Sequence, residues 1–275
     1  MSFVLSERPG LASLPQRHPP TWFAGPAHPD LRVDENATLQ AGAWFAQLPE
    51  PLRVAILGRA RVRRVAAGTC LAQRGESGAS WIGVVRGAVR LGTSLSDGRS
   101  FSLDFVGPSQ WFGDIELMDD RPLDMDRVAH VQSVLLMVTK PDLCRLVESF
   151  DELRDALLQL NCQRLRHMFR RFEELQTLPL AQRLARQVQR LVRQFGRPLA
   201  QGVCIDLDVS QGDLAAMVGC SRQRLNCAWR QMQHQGIVLL GQSRLVVLDA
   251  AALQAVAEGR EVLVARAPLA ELPCA

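Results

Sequence analysis

The chain has 275 residues, 47% of them hydrophobic and 22% charged, and carries a net charge of +4. That is room for roughly two domains with proper cores, at the composition of a soluble globular protein. No apolar run approaches the ~18 residues a membrane span needs, Met1–Gly10 lacks the basic start and apolar core of a secretory signal, and the seven cysteines are scattered with no C-x-x-C pair, which argues against a disulfide framework, a zinc site or a sequence-local iron–sulfur site.

The cytoplasm is therefore the expected location, and no membrane partner is expected. Lys140 is the only lysine, so almost all positive charge sits on guanidinium groups, whose planar fork suits phosphate and guanine. Genomic base composition would produce the same bias.

Six prolines fall within the first 30 residues, so residues 1–38 read as a flexible extension. Helical structure is predicted around Ala41–Gly58, from the spacing of Phe45, Leu48, Leu52, Ile56 and Leu57, with Pro49 and Pro51 splitting it into two short pieces. From about Val62 to Thr139 short β-prone runs alternate with glycines: Cys70–Ala72, Trp81–Val85, Ala88–Thr93, Phe101–Phe105, Trp111–Phe112, Val128–Gln132 and Val134–Val138. Asp97-Gly98 is a hairpin signal. Many short strands with glycine turns predict a sandwich or jelly-roll barrel. The acids Asp114, Glu116, Asp119, Asp120, Asp124 and Asp126 crowd into one stretch, which reads either as a site for a cation or basic ligand or as a solvated turn with Arg121 and Arg127 beside it. His130, on a predicted strand, has no second histidine at ligand spacing, which favours a structural role over haem or metal ligation.

The periodicity then becomes helical. A short helix is predicted over Pro141–Val147 and a long one from about Asp151 to Gln176. On the long helix Leu158, Cys162, Leu165, Phe169 and Phe172 are spaced 4, 3, 4, 3, a heptad seam of the kind that packs one helix along another. A second stripe, Leu153, Leu157, Leu160 and Met168, lies to one side. Such a helix either serves its own domain and a partner together, or is one ordinary buried helix. Another amphipathic helix follows Pro179 and runs to about Phe195. Between them the two helices carry Arg164, Arg166, Arg170, Arg171, Arg183, Arg186, Arg190 and Arg193, which either touch flanking phosphates or form a solvated face with Glu173 and Glu174. Gly196–Val209 reads as a loop and a strand.

The segment from Ser210 to His234 meets the physical requirements of a helix-turn-helix. Ser210 caps a helix starting at Gln211, with Asp213 favouring the dipole of its first turn. Leu214, Met217 and Val218 form its buried face, and Ala215 is small where a second helix must cross. Gly219 permits the left-handed turn, and Ser221 caps a second helix whose inner face carries Leu225, Ala228 and Trp229. The outer face offers Arg222, Gln223, Asn226 and Arg230, and from Arg222 to Met232 the helix has three arginines and no acid. Arg can read a guanine edge with two bonds, and Gln and Asn can do so for adenine. Downstream, Ile237–Leu240, a turn at Gly241–Ser243 and Leu245–Leu248 read as strand, turn and strand, a wing.

In the order of its parts the chain resembles the Crp/Fnr regulators, the cAMP receptor protein family, over about residues 40–255. The recognition segment LAAMVGCSRQ, from Leu214 to Gln223, followed by Leu225 and Asn226, carries the resemblance most specifically. It implies an α+β chain: an effector-type jelly-roll barrel over 39–150, a dimerisation helix over 151–176, a winged helix-turn-helix over 177–258 and a tail over 259–275. It further implies a homodimer joined along Leu158, Cys162, Leu165, Phe169 and Phe172, bound to double-stranded DNA through Ser210, Gln211, Ser221, Arg222, Gln223, Arg224, Asn226 and Arg230, with RNA polymerase as a further candidate partner. Arg222 and Gln223 lead as base contacts; where the family often has a third base-reading Arg, this chain has Cys227.

The resemblance also implies an effector pocket, around Gly113, Asp114, Ile115, Asp124, Met125 and Arg127. Here the family's Gly-Glu-Leu/Ile becomes Gly113-Asp114-Ile115, and its later Arg-Ser or Arg-Thr pair falls on Leu123-Asp124 or Asp124-Met125. An aspartate would then face a phosphate, and Arg127, three residues on, would point the other way along an alternating strand. The expectation is that cAMP does not bind by the usual mode, and no cofactor or metal is expected. The N-terminal cysteine cluster of the family's oxygen sensors has no counterpart in residues 1–69. A cupin-type enzyme would need a histidine cluster that the barrel lacks. Two readings remain: a regulator whose barrel senses a small molecule of unknown identity, and a regulator whose barrel is a dimer scaffold or protein-contact surface.

Overall fold

A computed structural model describes residues 25–94, 100–240 and 244–261. Three short helices come first: α1 (Val33–Gln40), α2 (Ala43–Ala46) and α3 (Glu50–Arg59). Pro49 is the N-cap of α3 and Pro51 lies in its first turn, where a missing N–H costs nothing because those donors have no intrahelical acceptor. The prolines thus start the second helical piece as well as ending the first.

Eight strands then build the barrel: β1 (Arg61–Val65), β2 (Cys70–Ala72), β3 (Ser80–Arg86), β4 (Val89–Ser94), β5 (Ser100–Val106), β6 (Trp111–Phe112), β7 (Asp126–Ala129) and β8 (Ser133–Thr139), with the short α4 (Ile115–Asp119) between β6 and β7. They form two four-stranded sheets in the orders β1-β8-β3-β6 and β2-β7-β4-β5, antiparallel in every pairing. Strand alternation sorts the side chains. Ile82, Val84 and Leu135 join Val65, Val89, Val106, Phe112 and Ala129 in one cluster. Trp81, Val85, Leu136 and Val138, from the opposite faces of β3 and β8, pack with Phe45, Leu52, Ile56, Leu146, Leu153 and Leu157 of the helices. The first sheet is therefore buried on both faces, which is why β3 and β8 read as nearly continuous apolar runs.

Two helices follow the barrel closely, α5 (Lys140–Ser149) and the long α6 (Asp151–Thr177); α7 (Leu180–Phe195) leads into the C-terminal domain. That domain contains β9 (Gly196–Leu199), β10 (Gly202–Ile205), α8 (Gln211–Val218), α9 (Arg222–His234), β11 (Val238–Leu240), β12 (Leu245–Val247) and α10 (Ala250–Glu258). Its strands pair in the order β11-β12-β10-β9. The domain is docked on the barrel: Ala88 and Phe105 belong to the same buried cluster as Leu184, Val188, Leu214, Trp229 and Met232. Polar contacts cross the same junction. Ser102 donates to the Asp213 carboxylate at 2.8 Å, Gln194 donates to the Phe105 carbonyl at 2.7 Å, and His130 Nε2 lies 2.6 Å from the Asp208 carbonyl. His130 also packs its ring on Phe105, centroids 4.6 Å apart, so its role here is structural.

The fold departs from the sequence expectations at several places. Residues from Gly25 to Thr38 are packed, not a flexible extension: Leu31 and Leu39 are buried, and Arg64 donates to both oxygens of Glu35 at 2.8 and 2.9 Å. That hydrogen bond, working against burial, holds the Glu35 carboxyl at about 2, well below its ordinary 4.5. The strand β1 was not anticipated, because three of its five residues are arginines, nor was α10. The Asp97-Gly98 turn, the Gly241–Ser243 turn, residues 1–24 and most of the tail lie outside the described residues.

Candidate nucleic-acid interface

Local chemistry builds the two helices of the reader. Ser210 Oγ accepts from the Asp213 backbone N–H at 3.0 Å, and Ser221 Oγ from that of Arg224 at 3.4 Å; each satisfies a donor that the first helical turn leaves open. Gly219 ends α8 in the left-handed region, at φ 67°. A Cβ there would also come within 2.9 Å of the tip of the exposed Leu175 side chain, which can move aside, so it is the left-handed backbone that requires glycine.

The inner face of α9 buries Leu225, Ala228, Trp229 and Met232. Gln223, Cys227 and Arg230, spaced 4 and 3 along the helix, define the opposite pole and are exposed, with Arg222 and Arg224 exposed on its flanks and Asn226 half-buried. None of the three arginines forms an ion pair among the described residues. Ser210, Gln211 and Ser221 are exposed at the two helix starts, where backbone N–H groups and the helix dipole favour phosphate. The sequence reading missed Gly212: a Cβ there would lie 2.7 Å from Arg222 Nη2, so this glycine makes room for the Arg222 guanidinium over the start of α8. A glycine in the first turn of a helix is the signal that was available.

On α6 the two stripes separate. Leu153 and Leu157 are fully buried in the chain's own core. Leu158, Leu165, Phe169 and Phe172 are 64%, 53%, 63% and 65% exposed, and Cys162 is exposed among them. Of the second stripe, Leu160 is half-buried and Met168 exposed.

The effector-pocket residues are placed otherwise than the sequence suggested. Asp124 is exposed on a bend before β7, Met125 is half-buried beside it and Ile115 is exposed on α4, so no aspartate of that bend faces into the barrel. Arg127 does turn inward. It shares a face of β7 with Ala129, a member of the barrel's interior cluster, and is only 5% exposed. Its guanidinium lies 5.4 Å from the Phe112 ring centroid and pairs with Glu116. Gly113, at φ 87°, leaves room for it, since a Cβ there would be 2.9 Å from Arg127 Nη1. Asp114 faces the other way. Fully buried, it accepts from Arg164 at 2.9 Å and from Asn161 at 2.7 Å, both on α6.

The crowded acids are thus dispersed. Asp114 and Glu116 have the partners just given, Asp120 pairs with Lys140, and Asp126 accepts from the Arg74 N–H at 2.9 Å. Among the described residues no group of three or more His, Cys, Asp or Glu side chains is arranged to hold a metal ion. Of the interhelical arginines, Arg186 and Arg190 both pair with Glu174, and Arg171 pairs with Asp104. Burial raises the Glu174 carboxyl, but the hydrogen bond and charge of Arg190, with those of Arg186, outweigh it and hold the group below the usual carboxylate range. Arg166, Arg170 and Arg193 are exposed.

Comparison with known proteins agrees with this geometry. The cyclic nucleotide-binding domain model matches residues 62–150, and the Crp-like helix-turn-helix domain model matches residues 182–256. The chain is 25% identical over 175 residues to a CRP-like cAMP-activated global transcriptional regulator of Mycobacterium tuberculosis, covering 64% of this chain and 78% of that one. It is 27% identical over 186 residues to the cyclic AMP receptor protein of Thermus thermophilus, covering 68% and 83%. In fold it is similar to a c-di-GMP-responsive global regulator of Xanthomonas campestris, with a TM-score of 0.63 at 20% identity over 74% of this chain and 100% of that one. No helix among the described residues is long and apolar enough to cross a membrane. A barrel matched by the first model and a capped helix-turn-helix matched by the second, joined by a long helix, place the chain in the Crp/Fnr family of DNA-binding transcription regulators.

Proposed function

We propose that the chain acts as a homodimer on a two-fold symmetric DNA site, with α9 of each copy in a major groove. One observation carries this reading: the pole of α9 opposite its buried face presents Gln223 and Arg230, flanked by Arg222 and Arg224, all exposed, with no acid on the helix and no ion pair among the described residues. A guanidinium or amide free at that place can bond a base edge with two parallel hydrogen bonds. The N-termini of α8 and α9, with Ser210, Gln211 and Ser221, hold the flanking phosphates. The exposed apolar seam on α6 joins the two copies, because four large side chains left in water along one helix line are the pattern a second helix covers. RNA polymerase is the macromolecule such a regulator would act on next.

A second reading concerns the barrel. If a ligand binds there, it would act by favouring one arrangement of the two α6 helices and so one spacing of the α9 pair. The effector-independent alternative, with the barrel as dimer scaffold, draws support from the shared core of Ala88, Phe105 and the C-terminal domain. The experiment is selection of duplexes from a random pool with purified full-length protein and no added ligand. The expected result is a two-fold symmetric motif with half-sites about one helical turn apart. Enrichment of an asymmetric motif would contradict the dimeric reader. If nothing is enriched even after addition of cell extract, the assignment of α9 as reader is overturned.

A further inference from the structure

Inside the barrel, the buried guanidinium of Arg127 is already paired with a carboxylate of the same chain, Glu116. We propose that Glu116 serves as a tethered counter-ion for Arg127, closing the barrel to anionic effectors such as cyclic nucleotides and fixing the barrel's position on α6 without a ligand.

Arg127 is the buried guanidinium on the inward face of β7, and a buried charge needs a partner because desolvation is costly. Glu116 supplies it from α4, and the Phe112 ring lies beside the same guanidinium. The local charge is then balanced. An incoming phosphate would have to displace Glu116 or sit against it, and two anions on one guanidinium repel. The other Glu116 oxygen, Oε2, is buried with no hydrogen-bond partner among the described residues. That carboxylate is held there by Arg127 and not by a network of its own, so its removal should free the guanidinium without dismantling the surroundings.

The same segment reaches the dimer helix. Two residues before Glu116, Asp114 is bound by Arg164 and Asn161 of α6, and Arg164 also donates to the Trp111 carbonyl. Gly113, Asp114 and Glu116 therefore clamp the end of β6 between Arg127 on the inside and α6 on the outside. A ligand is the usual way to bias such a joint; here the chain contains both charges that set it.

This inference deepens the effector-independent reading, and its test uses no DNA, so it can fail separately from the DNA reading. Full-length wild type, Glu116→Ala and Glu116→Ala/Arg127→Ala are titrated calorimetrically with cAMP, with inorganic phosphate as a second probe, and their folding is checked by far-UV circular dichroism. The expected result is no wild-type binding below millimolar cAMP, at least a tenfold gain in Glu116→Ala, and loss of that gain in the double variant. Phosphate alone reproducing the gain would assign the freed site to simple anions; a gain with cAMP only would assign it to the nucleotide, and both support the counter-ion role. Micromolar cAMP binding by wild type, or a folded Glu116→Ala that binds no better, overturns the proposal. Should the alanine variant fail to fold, Glu116→Gln is read the same way, since it removes the charge and keeps an acceptor.

Discussion

Arg127 and Arg222 are the same residue type in opposite circumstances. Arg127 is buried, paired with Glu116 and set beside Phe112; Arg222 is exposed at the start of α9 with no carboxylate partner among the described residues. The first charge is spent inside the fold and contributes to stability. The second is left available to an outside anion. Arg186 and Arg190, shared by Glu174, belong with the first, and Arg224 and Arg230 with the second. The difference lies in where the nearest acid falls, and it separates arginines that hold the protein together from those proposed to hold DNA.

The largest expected effect comes from the surface both groups depend on. Phe169→Asp puts a charge on the exposed α6 seam and should dissociate the dimer, seen by sedimentation velocity. Affinity for a symmetric duplex should drop about 10²–10⁴-fold as the linked second half-site is lost. A dimer that survives this change would move the interface elsewhere.

Arginine substitutions then test the contrast itself. Arg190→Ala should lower stability by about 1–2 kcal/mol, because Glu174 loses one of its two cations while Arg186 stays at 3.2 Å, without changing which bases are preferred. Arg222→Ala should do the reverse: affinity weakens by about 1–3 kcal/mol and selectivity relaxes at one base pair, with little change in melting temperature. Chemical denaturation and a binding titration on variant duplexes read the two quantities. If both variants behave alike, the division between paired and free arginines is wrong.

Smaller effects sharpen the picture at the ends of the molecule. Gly219→Ala should destabilise the reader by about 1–2 kcal/mol through its left-handed backbone. Glu35→Gln tests the N-terminal clamp. The folded carboxyl is depressed to about 2 from 4.5, so its contribution is fully present above about pH 4.5 and is lost as pH falls toward 2. Because Arg64 is 42% exposed, solvent screening reduces the effect to about 1 kcal/mol or less. Urea unfolding from pH 7 to 3 should show wild type and variant converging on the acid side; parallel curves would contradict the clamp.

The reader was legible in the sequence because its determinants are local. Ser210, Gly219 and Ser221 set caps and a turn through contacts within a few residues, and the inner face of α9 follows helical spacing. The direction of Arg127 was not legible. Counting strand alternation from Asp124 to Arg127 fails because residues 124 and 125 form a bend and β7 begins only at Asp126. Likewise, nothing near Glu35 reveals that Arg64, 29 positions on, will order the N-terminal helix. The heptad on α6 was visible, but only burial could separate the stripe that packs internally from the one left for a partner.

The most direct test of the account compares the open and closed charges in one experiment: affinity of the full-length protein for its selected duplex, measured by fluorescence anisotropy with and without millimolar cAMP. The expected result is tight, salt-dependent binding that cAMP leaves unchanged within twofold, since the reader is exposed and the barrel arginine is already paired. A tenfold or greater tightening by cAMP would contradict it.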